Sequence, residues 1–234
     1  MTSSKKLPQI FSITIPSEAA KNANIALQSS PQVWARAISG LETGKFDSVY
    51  GAAYTEDRAV WAGYSLPLFF DSTQIFARKA STKKTIDDIN KDIDIVGVSK
   101  DSINHTFAKS LGFRNIYAIA NRGTIFNLLM QERIDYMISI RAFIEVYCNT
   151  MVAKQFDECV SLVGEPISFH GGHLMHTQKN VKASDQVARL NQEIWLLIDS
   201  DKARAIFYEN GLSAQDYQYW RSNINESNVV PRIK

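Results

Sequence analysis

Between residues 85 and 147 the chain alternates between runs that suit strands and runs that suit helices, and no other feature constrains the fold as tightly. After a short helical TIDDINK, IDIVGVS (93–99) reads as a buried strand and DSINHTFAKSLG (101–112) as a helix, with Ser102 near its cap and Gly112 past its end. NIYAIA then reads as a strand, GTIFNLLMQER as a helix, IDYMISI as a strand and AFIEVYCNTMVAKQF (142–156) as one helix. Strands joined through helices lie parallel in one sheet, so this stretch is a βαβ lobe of an α/β protein.

The flanks supply a second lobe. Phe11, Ile13 and Ile15 alternate with Ile10, Ser12 and Thr14, which predicts a strand over 10–15 ended by Pro16. SEAAKNA predicts a short helix and NIALQS (24–29) a second strand. Ser30 caps PQVWARAISGLETG, a helix with Pro31 at its first position, Val33, Ala37, Ile38 and Leu41 on one face and Gly44 as its stop. FDSVYGA predicts a strand, 55–70 an unusually aromatic loop and TQIFARK a strand. Residues 161–178 predict two extended runs around Gly164, Pro166, Gly171 and Gly172, and 183–211 are helical, with Val187, Leu190, Ile194, Leu197 and Ile198 at core spacing. The extended stretches near 74 and 166 flank the middle lobe, so the chain is expected to cross between lobes twice, through a hinge. The lobes expected are 1–75 with 171–234, the larger, and 76–170, the smaller, which includes the hinge strands.

Charge and motifs narrow the function classes. A formal charge of +2 with no basic block gives nothing to hold nucleic acid. The apolar stretch 134–146 is interrupted by Asp135, Arg141 and Glu145, so no membrane span is expected. No Ser-His-Asp order, H-E-x-x-H or phosphate loop is present, which argues against an enzyme and against a cofactor. His170, His173 and His176 lie three apart on an extended run and so face opposite sides, which makes them structural rather than metal ligands. Cys148 and Cys159 admit a disulfide or two buried thiols, with thiols the favoured reading. Pro8, Ser12, Thr14 and Pro16 break up any signal core at the front, so either the chain stays in the cytosol or an export signal has been removed.

Four phrases, taken in order and spacing, carry a family resemblance. They are G-K-F-D-S at 44–48, T-E-D-R at 55–58, Y-S-L-P at 64–67 and E-R-I-D at 132–135. Across residues 23–212 the chain resembles the type II periplasmic binding proteins of the polar amino-acid uptake family, the extracellular solute-binding proteins of family 3. The resemblance departs at the front, where the family usually has a first strand and a ligand loop; matching EAAKNANI to the family's first helix would extend helix into 10–15, against the strand that local alternation predicts, so both readings stand.

That resemblance implies a two-lobed fold, each lobe a mostly parallel sheet flanked by helices, that closes on a small carboxylate-bearing solute. It implies a monomeric substrate-binding component of an ABC-type uptake system, located in the periplasm, with a membrane permease as a further partner. An enzyme on the same fold and a sensory or remnant domain are the alternatives. Arg58 occupies the position at which the family grips the ligand carboxylate, where a planar guanidinium gives two parallel hydrogen bonds. Tyr50, Gly51 and Ala53 occupy the strand end that faces the ligand; Trp34, Trp61, Phe69 and Phe70 are candidate apolar walls. Ser99 and Ser102 flank a strand-to-helix turn whose amides suit an anion. Ile140 stands where amino-acid binders commonly present an Asp to the ligand's ammonium group, so a carboxylate read without that partner, or with a different one, is expected.

Overall fold

The computed structural model describes residues 9–209 and 213–226. The chain forms two compact units, one made of Met1–Pro31, Ser39–Phe70 and Gly171–Lys234 and the other of Gln32–Ile38 and Asp71–His170. In chain order the first elements are α1 (Gln9–Asn22), α2 (Trp34–Glu42), β1 (Val49–Ala52), α3 (Glu56–Ala59), β2 (Ala62–Tyr64) and β3 (Phe69–Arg78). Then come β4 (Ile95–Ser99), α4 (Ile103–Ser110), β5 (Asn115–Ile119), α5 (Arg122–Met130), β6 (Tyr136–Ile140), α6 (Arg141–Tyr147) and α7 (Phe156–Cys159). β7 (Val160–Thr177), α8 (Val181–Leu197), α9 (Asp201–Glu209) and α10 (Ala214–Glu226) complete the described chain.

In the first unit β7 pairs antiparallel with both β1 and β2. Its core joins Leu66, Leu68 and Leu174 to Leu190 and Ile194 of α8, Ile206 and Phe207 of α9 and Tyr217 and Trp220 of α10. The expected strand over 10–15 is instead part of α1, which continues through Pro16. Ile15, Ala19 and Ala20, spaced for one helical face, are buried against α8 and α9 in that core. Burial of this face overrides both the local alternation and the missing proline N–H. The expected strand over 24–29 is also absent: those residues have no regular structure. The aromatic loop 55–70 turns out to hold α3, β2 and the start of β3.

In the second unit β4 lies parallel to β5 and to β6, while β3 is antiparallel to β6. The alternation read from the sequence is therefore the sheet itself. One face packs Ile75, Val96, Val98 and Ile138 against Ala108 of α4, and the other packs Phe76 and Met137 against Ile125, Phe126 and Leu129 of α5. The single helix expected over 142–156 is broken. α6 gives way to a π-helical turn over Cys148–Val152, and Ala153 then adopts a left-handed φ of 55°. The cause is covalent: Cys148 and Cys159 form a disulfide with Cα atoms 5.8 Å apart, not the two thiols favoured by their spacing. The two extended runs expected over 161–178 are one 18-residue strand.

Candidate functional site

The first unit holds Tyr50, Gly51, Ala53, Arg58 and Phe69, with the Phe69 ring against Tyr50 and Gly51. Gly51 has φ +77°, and the β1–β7 register shifts between Tyr50 and Ala52, so a glycine here lets the backbone bulge out of the ladder. Ala53 is buried just beyond it. Thr55 caps α3 by accepting from the Arg58 amide at 3.4 Å, which fixes the base of that side chain. The Arg58 guanidinium is half-buried beside Tyr64, and desolvation lowers its pKa while Tyr64 and Asp57 oppose that shift. A guanidinium stays charged through any such shift, so the unit carries a partly desolvated, fixed cation.

Phe69 and Phe70, expected as walls, pack on the first unit's core. The Phe69 ring lies 5.9 Å from Tyr50 and against Gly172, where an added Cβ would come within 2.1 Å of the ring. Phe70 meets Tyr219 edge-on at 5.8 Å. Trp61 is half-buried between α3 and β2. His173 donates through its Nδ1–H to Ser65 O at 2.7 Å, and His176 Nδ1 lies 3.2 Å from Ser184 Oγ. Both rings are thus held by structural hydrogen bonds.

The second unit holds Trp34, Ser99, Ser102 and Ile140. Ser102 does not cap α4 with its side chain; Oγ donates back to Ser99 O at 2.7 Å. The Trp34 indole N–H donates to Asp101 O at 3.1 Å, so Trp34 braces this turn rather than standing as a bare wall. Ile140 is half-buried, lies opposite Thr73 on β3 and precedes α6 as its N-cap residue.

Gln74, Ser139, Asp71 and Arg122, which the sequence reading passed over, stand out in the same unit. Gln74 and Ser139 are paired across β3 and β6, and the β4–β6 register carried two residues on places Ser99 level with Ser139. Gln74 Oε1, Ser139 Oγ and Ser99 Oγ are all buried without a hydrogen-bond partner among the described residues. At the start of β3, burial pushes the Asp71 carboxyl up to about 6. At the start of α5, the Arg122 guanidinium lies 4.2 Å from the centre of the Phe143 ring. Burial and the Arg122 charge together hold His170 down at about 4. A sequence signal for Asp71 existed: it is the one charge inside the apolar run LFFDSTQIF.

With this geometry in place, the comparisons are direct. The family model described as bacterial extracellular solute-binding proteins, family 3, matches residues 4–208. No curated protein matches in sequence. Among solved structures, the arginine-, lysine-, histidine-binding protein ArtJ from Geobacillus stearothermophilus is 16% identical with a TM-score of 0.73, over 86% of this chain and 85% of its own. An ancestral arginine-binding protein bound to glutamine is 21% identical with a TM-score of 0.73, over 87% and 88%. A histidine kinase sensor domain with similarity to periplasmic binding proteins is 17% identical with a TM-score of 0.73, over 85% and 84%. At those identities the structures establish the type II periplasmic-binding-protein fold, and the family match adds membership: the chain belongs to the bacterial extracellular solute-binding proteins of family 3.

Proposed function

We propose that the protein binds a small carboxylate-bearing solute as the substrate-binding component of an ABC-type uptake system, with Arg58 gripping the carboxylate. The observation that carries this reading is the Arg58 guanidinium, half-buried beside Tyr64 at the end of a helix capped by Thr55. A guanidinium can offer a carboxylate two parallel charge-assisted hydrogen bonds. The family is one of binding proteins, not enzymes, and the chain is read accordingly. Membership also supports placement outside the cytoplasm, and the Cys148–Cys159 disulfide suits an oxidising compartment. No helix among the described residues is long and apolar enough to cross a membrane. A thermal-shift screen of the purified protein against carboxylic acids, amino acids and their neutral amides tests the reading. Stabilisation confined to carboxylates supports it; stabilisation by the amides alone sinks it.

Similarity to a histidine kinase sensor domain favours a second reading, in which ligand capture is relayed to a signalling partner rather than to a permease. Co-purification from membranes separates the two: a permease or a sensor kinase is recovered.

A further inference from the structure

One row of side chains across the second unit's sheet is polar where the rows beside it are apolar. Gln74 on β3 pairs with Ser139 on β6, and Ser99 on β4 lies level with Ser139. Alternation along each strand puts all three on the face that turns Phe76 and Met137 toward α5. Same-face neighbours on paired strands stand about 5 Å apart at Cβ, so the three side chains form one cluster. Gln74, Ser139 and Ser99 are only 6%, 1% and 2% exposed. Gln74 Oε1, Ser139 Oγ and Ser99 Oγ nevertheless make no hydrogen bond among the described residues. Native interiors rarely leave three adjacent polar atoms in that condition.

One step along the same face the row is Phe76, Met137 and Gly97. A Cβ on Gly97 would come within 2.5 Å of Ile125 and Ile134, so packed hydrocarbon closes the cluster on that side. The opposite face of the sheet meets the same demand with protein groups alone, since Thr73 Oγ1 donates to Asn104 Oδ1 at 3.5 Å. In the row itself the two hydroxyls bring one donor proton each, and the Gln74 carbonyl oxygen only accepts. What satisfies all three at once is a small neutral group that accepts twice and donates at least once.

We infer that this row is a binding site for one internal water molecule, which accepts from the Ser139 and Ser99 hydroxyls and donates to Gln74 Oε1. Three hydrogen bonds are the usual complement of a buried water. A cation suits the site less well, because the three side chains are neutral and two hydroxyl protons would have to turn away from it. The water ties β3 to β6 and β4 through side chains, in addition to the backbone ladder. The site lies within the second unit and does not depend on what solute the protein binds.

A high-resolution crystal structure of the native protein, with a second crystal soaked in rubidium chloride, tests this. The expected result is one density peak at about 2.8–3.0 Å from all three oxygens, with no anomalous signal from rubidium at that position. Oxygen-17 relaxation dispersion carries the test into solution: Gln74→Met/Ser99→Ala/Ser139→Ala, which removes every polar partner, has one long-lived water fewer than native protein. The native crystal reads the site even if that variant does not fold. Direct hydrogen bonds among the three side chains with no peak between them overturn the inference. So does a rubidium signal, which marks a cation, and so does an unchanged number of long-lived waters in the folded variant.

Discussion

Asp71 and His170 both lie within electrostatic range of Arg122 but titrate in opposite senses. Burial raises the Asp71 pKa from 3.8 to about 6, so the folded state holds this proton more tightly than the unfolded chain does. Its contribution to stability is therefore greatest below pH 4 and declines as pH rises toward 6. His170 is the reverse: lowered from 6.5 to about 4, it contributes stability above pH 6.5 that is lost as pH falls. In the window between 4 and 6 the two nearly cancel. Asp71→Asn is predicted to gain roughly 1–3 kcal/mol at pH 7 and to lose stability more steeply on acidification than native protein, as read by urea unfolding at several pH values. Equal or lower stability of Asp71→Asn at pH 7 would contradict the desolvation argument.

At the scale of elements, the disulfide is what turns one expected helix into α6, a π-helical turn and α7. Both sulfurs are buried beside Phe126 and Ile144 in the second unit's core. Closing a loop of 11 residues and keeping that core intact makes Cys148→Ala/Cys159→Ala, or reduction, cost about 2–3 kcal/mol. The melting temperature drops with reductant in native protein and is insensitive to it in the double variant. The elements that were legible in the sequence are those whose pattern is local. β4, α4, β5, α5 and β6 carry their own periods, and Ser102 and Gly112 bracket α4. Ile10–Ile15 was misread because its alternation satisfies a strand while the decisive burial comes from α8 and α9, far along the chain. The break after Tyr147 depends on a bond to Cys159 that spacing alone does not dictate. Among the proposed site residues, Arg58 and Gly51 were visible because phrase and turn chemistry mark them. The lone charge in LFFDSTQIF marks Asp71, but its setting in the field of Arg122, which also acts on His170, arises only when the fold brings three separated titratable groups together.

For the whole molecule, the chain passes between its two compact units within β3 and β7, and the proposed solute binding predicts a change of conformation on ligand addition. A ligand shifts such an equilibrium only by its differential affinity for the two conformations. Small-angle scattering is expected to show a smaller radius of gyration when a binding solute is added, and no change with a non-binding analogue. An unchanged radius would leave a binder that does not close. The claim on which the rest depends is that Arg58 grips the solute's carboxylate, and calorimetry of native, Arg58→Lys and Arg58→Ala protein against the carboxylate found by thermal shift tests it most directly. Loss of a bidentate charge-assisted contact predicts about 100-fold weaker binding in Arg58→Ala, with Arg58→Lys recovering little of it because a point charge cannot reproduce the fork. Unimpaired binding by Arg58→Ala would contradict the account.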